Sequence, residues 1–293
     1  MIVGRNLPLV SIITPSLNQG RFLRDTIESV LSQEYPQLEY IVMDGGSTDD
    51  TLDILHSYGN RLTWHSAPDL GQADAVNSGF RLAKGDILGW LNSDDTYHPG
   101  AVKAAVEHLA ANPDAAVVYG DAYYIDEHNA VIGTYPTEDF NLNRLAEACI
   151  ICQPTAFIRR ATLETVGLLD PALRYCMDYD LWIRLGRRFR IERIRRVLAN
   201  SRRYPETKSF SHRDELFKEI YAVAERSFGR VSPHWRVCRA YYRLVDLSWP
   251  IARWVLWPAR QTLPKGVHRW LRREFPLLVN RESTRWAGPG SGQ

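Results

Sequence analysis

Asp94 and Asp95 stand side by side just after the apolar run Ile87-Leu88-Gly89-Trp90-Leu91, in the segment Asn92-Ser93-Asp94-Asp95. Two adjoining carboxylates repel each other, and a cation relieves the repulsion. Oxygen-only ligands favour magnesium or manganese, ions that keep several waters and bridge to substrate phosphates. A competing reading has Asp95-Thr96 cap a helix opening near Pro99, and capping is compatible with metal binding. The chain has no Gly-x-x-x-x-Gly-Lys-Ser and no Gly-x-Gly-x-x-Gly after a strand, so the usual glycine-rich phosphate cradles are missing. That removes most support for a dehydrogenase or an ATPase. A phosphorylated ligand would then need a metal on aspartates as its source of positive charge, which suits a departing pyrophosphate.

Such loops need a scaffold, and the first two hundred residues alternate β-rich runs with helical patterns. Leu9 to Ile13 is a continuous apolar run suited to a strand buried on both faces. Leu23, Ile27, Val30 and Leu31 then form one helical stripe. Leu38 to Met43 reads as a strand, Thr48 to His56 as a helix and Leu62 to His65 as a short strand. Ala73 to Ala83 is helical, Asp86 to Leu91 a strand, Ala101 to Ala111 a helix and Ala115 to Tyr119 a strand. This order predicts an α/β fold with a mostly parallel sheet and right-handed crossovers. Ligands of such sheets bind beyond the carboxyl ends of the strands. Three strands end there in Thr14-Pro15-Ser16-Leu17-Asn18, in Asp44-Gly45-Gly46-Ser47-Thr48-Asp49-Asp50 and in the Asp94-Asp95 segment. Each loop alone reads as turn chemistry, but three polar, mostly acidic loops at one edge point to a site.

Further motifs follow the three strand-end segments in order: Asp69-Leu70-Gly71-Gln72-Ala73-Asp74-Ala75-Val76-Asn77-Ser78-Gly79, Gly85-Asp86, Gln153-Pro154 and Asp178-Tyr179-Asp180-Leu181-Trp182. Through these segments together, residues 8 to about 210 resemble glycosyltransferase family 2, the inverting, sugar-nucleotide-dependent enzymes with the GT-A fold. The resemblance implies that Thr14, Pro15 and Ser16 line the base and ribose pocket and that Asp44 accepts a hydrogen bond from the base, with Asn18 and Gly45 also among the donor-binding residues. A carboxylate acceptor there suits the N3–H of uracil or thymine and also the N1–H of guanine, with a uridine diphosphate sugar as the leading donor. Gln72, Asp74, Asn77 and Asn92 would face the donor sugar or diphosphate. Asp95 would be the chief ligand of a Mn or Mg ion, with Asp94 on metal or ribose. Asp178 takes the position of the general base, and Gln153, Asp180 and Trp182 fall on the acceptor side. Asp180 reads equally well as a carboxylate at a helix N-terminus, and Trp182 as core.

Two departures from the family pattern matter. Met177 precedes Asp178 where the family often has Glu, and Tyr204 stands where many relatives place a His. A third protein ligand to the metal is then in question, with His212 as a nearby substitute and Arg202, Arg203 and Lys208 as compensating cations on the diphosphate. Cys149-Ile150-Ile151-Cys152 lacks the second ligand pair that zinc needs and reads as a buried apolar element. Rival functions are a catalytically silent sugar-nucleotide-binding or scaffold protein on the same fold, and a nucleotidyltransferase. The latter would want a basic, glycine-rich loop after the first strand, where Thr14-Pro15-Ser16 stands instead.

Four cysteines among 293 residues do not make a small secreted disulfide framework, so a reduced, cytoplasmic location is expected. No signal peptide is recognisable, and no apolar run approaches the roughly 20 residues needed to span a bilayer. The formal charge of +2 excludes a globally basic nucleic-acid binder, yet it hides an asymmetry. Between His234 and Arg281 stand ten Lys and Arg against Asp246 and Glu274, with five of the nine tryptophans. Tryptophan interleaved with arginine suits either the inner, anionic face of a membrane or a helical appendage packed on the front domain. The expected organisation is a catalytic domain over 1–230, with a nucleotide-sugar half at 8–120 and an acceptor half at 121–230. A basic, Trp-rich helical segment over 231–286 and a disordered tail over 287–293 follow. The resulting expectation is transfer of a sugar from a nucleotide diphosphate to a hydroxyl of a glycan or lipid-linked acceptor, in cell-surface polysaccharide synthesis.

Overall fold

The computed structural model describes residues 7–243. The apolar runs form strands β1 (Val10–Ser16), β2 (Leu38–Asp44), β3 (Thr63–Ser66) and β4 (Ile87–Trp90), which pair in parallel in the order β3-β2-β1-β4. Every residue of β1 is buried, as expected of a central strand covered on both faces. Helices α1 (Gly20–Leu31), α2 (Thr51–Ser57) and α3 (Gln72–Leu82) make the crossovers. Leu23, Ile27 and Val30 of the stripe that the spacing predicts are buried on α1 together with Phe22, while Leu31 is half-buried. On α3, a Cβ at Gly79 would come within 2.5 Å of Ile13 Cγ2, so only glycine lets this helix lie directly on β1.

Beyond β4 the sheet becomes mixed. Strand β5 (Thr96–Tyr97) precedes helix α4 (Ala101–Ala111), and β6 (Ala115–Ile125) and β7 (Val131–Thr134) form a hairpin. Helix α5 (Leu142–Leu145), strand β8 (Phe157–Arg159), helix α6 (Arg160–Val166), helix α7 (Met177–Gly186) and strand β9 (Arg190–Arg202) follow, and then helices α8 (Lys208–Ser211) and α9 (Arg213–Phe228). β8 enters antiparallel between β4 and β6, β9 runs parallel to β6, and β5 closes antiparallel on β9.

The capping role considered for Asp95-Thr96 is not realised. Thr96 pairs with Asn200 in the sheet, and α4 opens later behind a left-handed Gly100 without a side-chain cap. The helix expected from Thr48 begins at Thr51. The turn before it is tied down by the Asp49 carboxylate, which accepts from the backbone of both Gly20 and Thr51.

The chain divides into two compact units, Met1–Trp235 and Arg236–Gln293. In the first, Trp235 is buried and its ring meets Tyr179 and Phe217 edge-on. The described part of the second, residues 236–243, is helical. Trp249, Trp254, Trp257 and Trp270, on which the membrane expectation rests, lie outside the described residues, as does the tail at 287–293. Among the described residues no helix is long and apolar enough to cross a membrane.

Candidate active site

The parallel strands bring their carboxyl ends to one edge. Ser16 pairs with Asp44, Asp44 with Ser66 and Ile13 with Trp90, so the loops after β1, β2 and β4 start side by side. Asn18, in the left-handed region at φ 52°, fastens the first two loops together. Its backbone N–H donates to Ser47 Oγ at 2.7 Å, and its Oδ1 accepts from the Thr48 N–H at 2.8 Å. Asparagine tolerates this conformation better than most residues.

Asp44 is buried and saturated from its own loop. Its Oδ2 accepts from the backbone of Gly46 and Ser47 and from Ser66 Oγ, while Oδ1 accepts from Ser47 Oγ. Gly46, at φ 84°, lets the loop turn back on this carboxylate. Only Oδ1, with a single partner, keeps acceptor capacity for a base. Gly45 donates its N–H to Ser16 O, and a Cβ there would stand 2.8 Å from Asp69 Oδ2. Thr14 and Pro15 are buried too, and Thr14 Oγ1 accepts from the Tyr40 hydroxyl, so Thr14 supports the strand from within. Ser16 is 4% exposed, and its hydroxyl has no hydrogen-bond partner among the described residues.

The loop after β4 is the centre of a connected polar network. Asn92 Oδ1 accepts from Gln72 Nε2 at 2.7 Å and from Trp90 Nε1 at 2.8 Å. Asn92 Nδ2 donates to Asp95 Oδ2 at 3.2 Å and to Gln153 Oε1 at 3.1 Å. Gln72 Oε1 in turn accepts from Lys208 Nζ at 3.0 Å, which joins α3, the aspartate pair, Gln153 and the segment before α9. Burial pushes the Asp94 carboxyl up, against the Tyr204 hydroxyl and nearby cations that pull it down. Burial and then the charge of Asp94 push Asp95 well above the ordinary carboxylate range. Burial likewise lowers the Lys208 ammonium. An aspartate pair costly to ionise beside a water-accessible edge is a donor set that a hard divalent cation would relieve. Among the described residues no group of three or more His, Cys, Asp or Glu assembles, so water and ligand oxygens would have to complete the coordination.

Tyr204 is the consequential departure. Its hydroxyl donates to Asp94 Oδ2 at 2.9 Å and accepts from Gln19 Nε2 at 3.3 Å, and its ring packs on Phe22 at 4.9 Å. Tyr204→Phe leaves Asp94 Oδ2 without this donor and should cost about 1–3 kcal/mol. Thermal denaturation should show a melting point lower by several degrees, with Tyr204→His closer to the parent protein. Identical melting curves for the Phe variant and the parent would show that the hydroxyl carries nothing.

Several expected ligand residues are committed elsewhere. The Asn77 amide is buried and bonds both the N–H and the C=O of Leu169 at 2.9 Å, so it clamps the segment before α7 and does not face a donor. Asp74 Oδ2 accepts from the Leu70 N–H at 3.2 Å, closing the turn ahead of α3. Asp180 is buried and paired with Arg184 and Arg226, and Trp182 is 1% exposed in the core. Arg202, expected as a diphosphate cation, is consumed inside the protein, where it donates to Asp94 O, Asp126 O and Asn129 Oδ1 and lies over the Phe22 ring. Arg203 lies over the Tyr124 ring. His212 is exposed, stacks on Tyr175 at 5.6 Å and shares a hydrogen bond with Ser211. Cys149 and Cys152 are free thiols, Cys149 pushed up to about 12 by burial and by the charge of Asp178.

Asp178 lies in the first turn of α7, half-buried, and its carboxylate is held by the backbone amides of Asp178 and Tyr179. Burial raises it to about 6 against those hydrogen bonds. Burial and the charges of Asp95 and Asp178 push up the buried Cys152 thiol. The approach to α7 is fixed by Glu219 of α9, whose carboxylate accepts from the backbone N–H groups of Arg174, Tyr175 and Cys176. The sequence alone gives no sign of this clamp, because Glu219 sits among the ordinary polar positions of an amphipathic helix.

A family model described as glycosyl transferase family 2 matches residues 11–167, more than half of the chain. The chain belongs to this family. Among curated relatives of this family 2 chain, an uncharacterized glycosyltransferase of Rickettsia prowazekii is 30% identical over 208 residues, covering 67% of this chain and 64% of that protein. The chondroitin synthase of Escherichia coli is 30% identical over 231 residues, covering 78% of this chain and 34% of that enzyme. The chain thus spans less than two thirds of the length of these curated relatives. Among solved structures, residues 1-349 of Staphylococcus aureus TarS in complex with UDP-GlcNAc superpose with a TM-score of 0.59 at 16% identity, covering 93% of this chain and 82% of that TarS chain. The mannosyltransferase PcManGT of Pyrobaculum calidifontis, in complex with GDP-Man and Mn2+, gives 0.58 at 18% identity over 94% of this chain and 82% of that one. The mixed sheet of this family 2 member is therefore the GT-A fold.

Proposed function

We propose that the protein is an inverting glycosyltransferase that moves a sugar from a nucleotide-diphosphate donor, a UDP-sugar first, to a hydroxyl of a glycan or lipid-linked acceptor in cell-surface polysaccharide synthesis. The observation that carries this reading is Asp178, a carboxylate in the first turn of α7 raised to about 6 by burial, with no side chain among the described residues holding it. A general base works best when its pKa lies near the operating pH. The UDP-GlcNAc bound by TarS, the GDP-Man and Mn2+ bound by PcManGT and the polysaccharide named in chondroitin synthase support the substrate class.

In this account the nucleoside lies over the carboxyl ends of β1 and β2. The unpartnered Ser16 hydroxyl and the open side of Asp44 Oδ1 meet ribose and base there. Asp95 and Asp94 would hold a Mn or Mg ion, which when bound supplies charge neutralisation for the diphosphate. Tyr204 keeps Asp94 oriented, and Lys208, steered by Gln72, adds a cation on the same side. Asp178 takes the proton from the acceptor hydroxyl as its oxygen attacks the anomeric carbon from the face opposite the diphosphate. Inversion follows from that single displacement.

Thermal stabilisation and donor hydrolysis measured across UDP-, GDP- and dTDP-sugars with manganese test the reading. A selective response to one nucleotide is the expected result. Indifference to all three, with the protein folded, would leave a silent scaffold on the same fold as the better account.

A further inference from the structure

A cleft opens between the start of α3, the segment before α7 and the segment 208–212. Its cationic and aromatic lining is Arg174, Lys208, His212 and Tyr175, its apolar lining includes Leu70 and Leu173, and among the described residues no acidic side chain lines it. Lys208 is already turned to Gln72, which links the cleft to Asn92 and the nucleotide side of the site. Arg174 is different. Its backbone is pinned by Glu219, its side chain is exposed, and among the described residues no carboxylate pairs with its guanidinium. His212 spends Nδ1 on Ser211 and stacks on Tyr175, so an aromatic surface stands beside two nitrogen donors. Leu70 is 82% exposed here, an apolar side chain left in water at the mouth of a polar site.

A diphosphate would make no use of Leu70, Leu173 and the Tyr175 ring, and a neutral sugar would leave the Arg174 guanidinium unanswered. A ring with one apolar face and one carboxylate uses both. We propose that this cleft binds a hexuronate residue, its carboxylate on Arg174 and His212 and its apolar face on Leu70, Leu173 and Tyr175. The inference rests on the glycosyltransferase reading above and narrows its substrate class. The uronate belongs either to the donor sugar or to the sugar that ends the acceptor.

The two sources are separable with the full chain and two probe pairs. UDP-glucuronate against UDP-glucose, with UDP alone as reference, reads the donor arm. Methyl glucuronide against methyl glucoside, with and without UDP, reads the acceptor arm by ligand-observed NMR. A charge-assisted bidentate contact should favour the charged member about tenfold or more in one arm. Arg174→Ala should abolish that preference and leave UDP affinity unchanged, and the variant should fold because Glu219 holds the backbone at this position. Equal affinities within both pairs overturn the proposal. So does an Arg174→Ala variant that loses as much affinity for UDP as for the charged probes, since the cleft would then serve the diphosphate. A protein that binds methyl glucuronide selectively but no UDP would sink the nucleotide reading and leave this one standing.

Discussion

Asp178→Asn should reduce sugar transfer by about 10²–10⁴-fold, the range typical of losing a placed general base, while nucleotide affinity stays within twofold. The amide keeps the size of the carboxylate and the contact to the α7 amides but cannot accept the proton. Because Asp178 is raised to about 6, transfer by the parent protein should fall as pH drops through 6 and level off above it. The sign of the stability effect is opposite. A carboxyl raised by burial binds its proton more tightly folded than unfolded, so its contribution to stability is present at acid pH and is lost as pH rises through about 6. Asn carries no charge to bury, so the variant should melt no lower than the parent at neutral pH. An inactive variant with an unchanged or higher melting point is the expected pair of results. Unaltered turnover would remove Asp178 from the base role.

Arg202→Ala should be the most damaging single change to the fold near the site. The Arg202 side chain has no exposed surface, yet it satisfies Asp94 O at 2.7 Å, Asp126 O at 2.9 Å and Asn129 Oδ1 at 2.7 Å, and its ring-facing side covers Phe22. Removing it strands several buried acceptors and leaves a cavity, a loss of about 3–5 kcal/mol. For a unit of this size that lowers the melting point by roughly 6–20 °C. Arg202→Lys should recover little, because one ammonium cannot reproduce a planar fork that reaches three separate acceptors. A melting point within a degree or two of the parent would show that the acceptors find water instead.

The parts of this protein that follow local rules are legible in its amino-acid order. Largely apolar, β-rich runs predict β1, β2 and β4, and the parallel order that crossover helices impose brings their polar ends together, as the Ser16–Asp44 and Ile13–Trp90 registers show. The mixed half of the sheet is not legible in the same way. β8 is three residues long and β5 two, too short for any periodicity to register. Side-chain commitments over long separations are equally hidden. Asn77 reads as free to meet a donor but is spent on Leu169, 92 residues away, and Arg202 reads as a cation for the diphosphate but serves Asp94, 108 residues away. Residue type tells what a group can bond. Which partner reaches it first is decided by tertiary packing.

Titration of UDP into the full chain, with and without manganese, and into Asp95→Ala tests the central claim most directly. The account predicts that manganese tightens binding to the parent protein at least tenfold and that the Asp95→Ala variant loses this gain while still folding. Equal UDP affinity in the presence and absence of manganese, unchanged by Asp95→Ala, would contradict it.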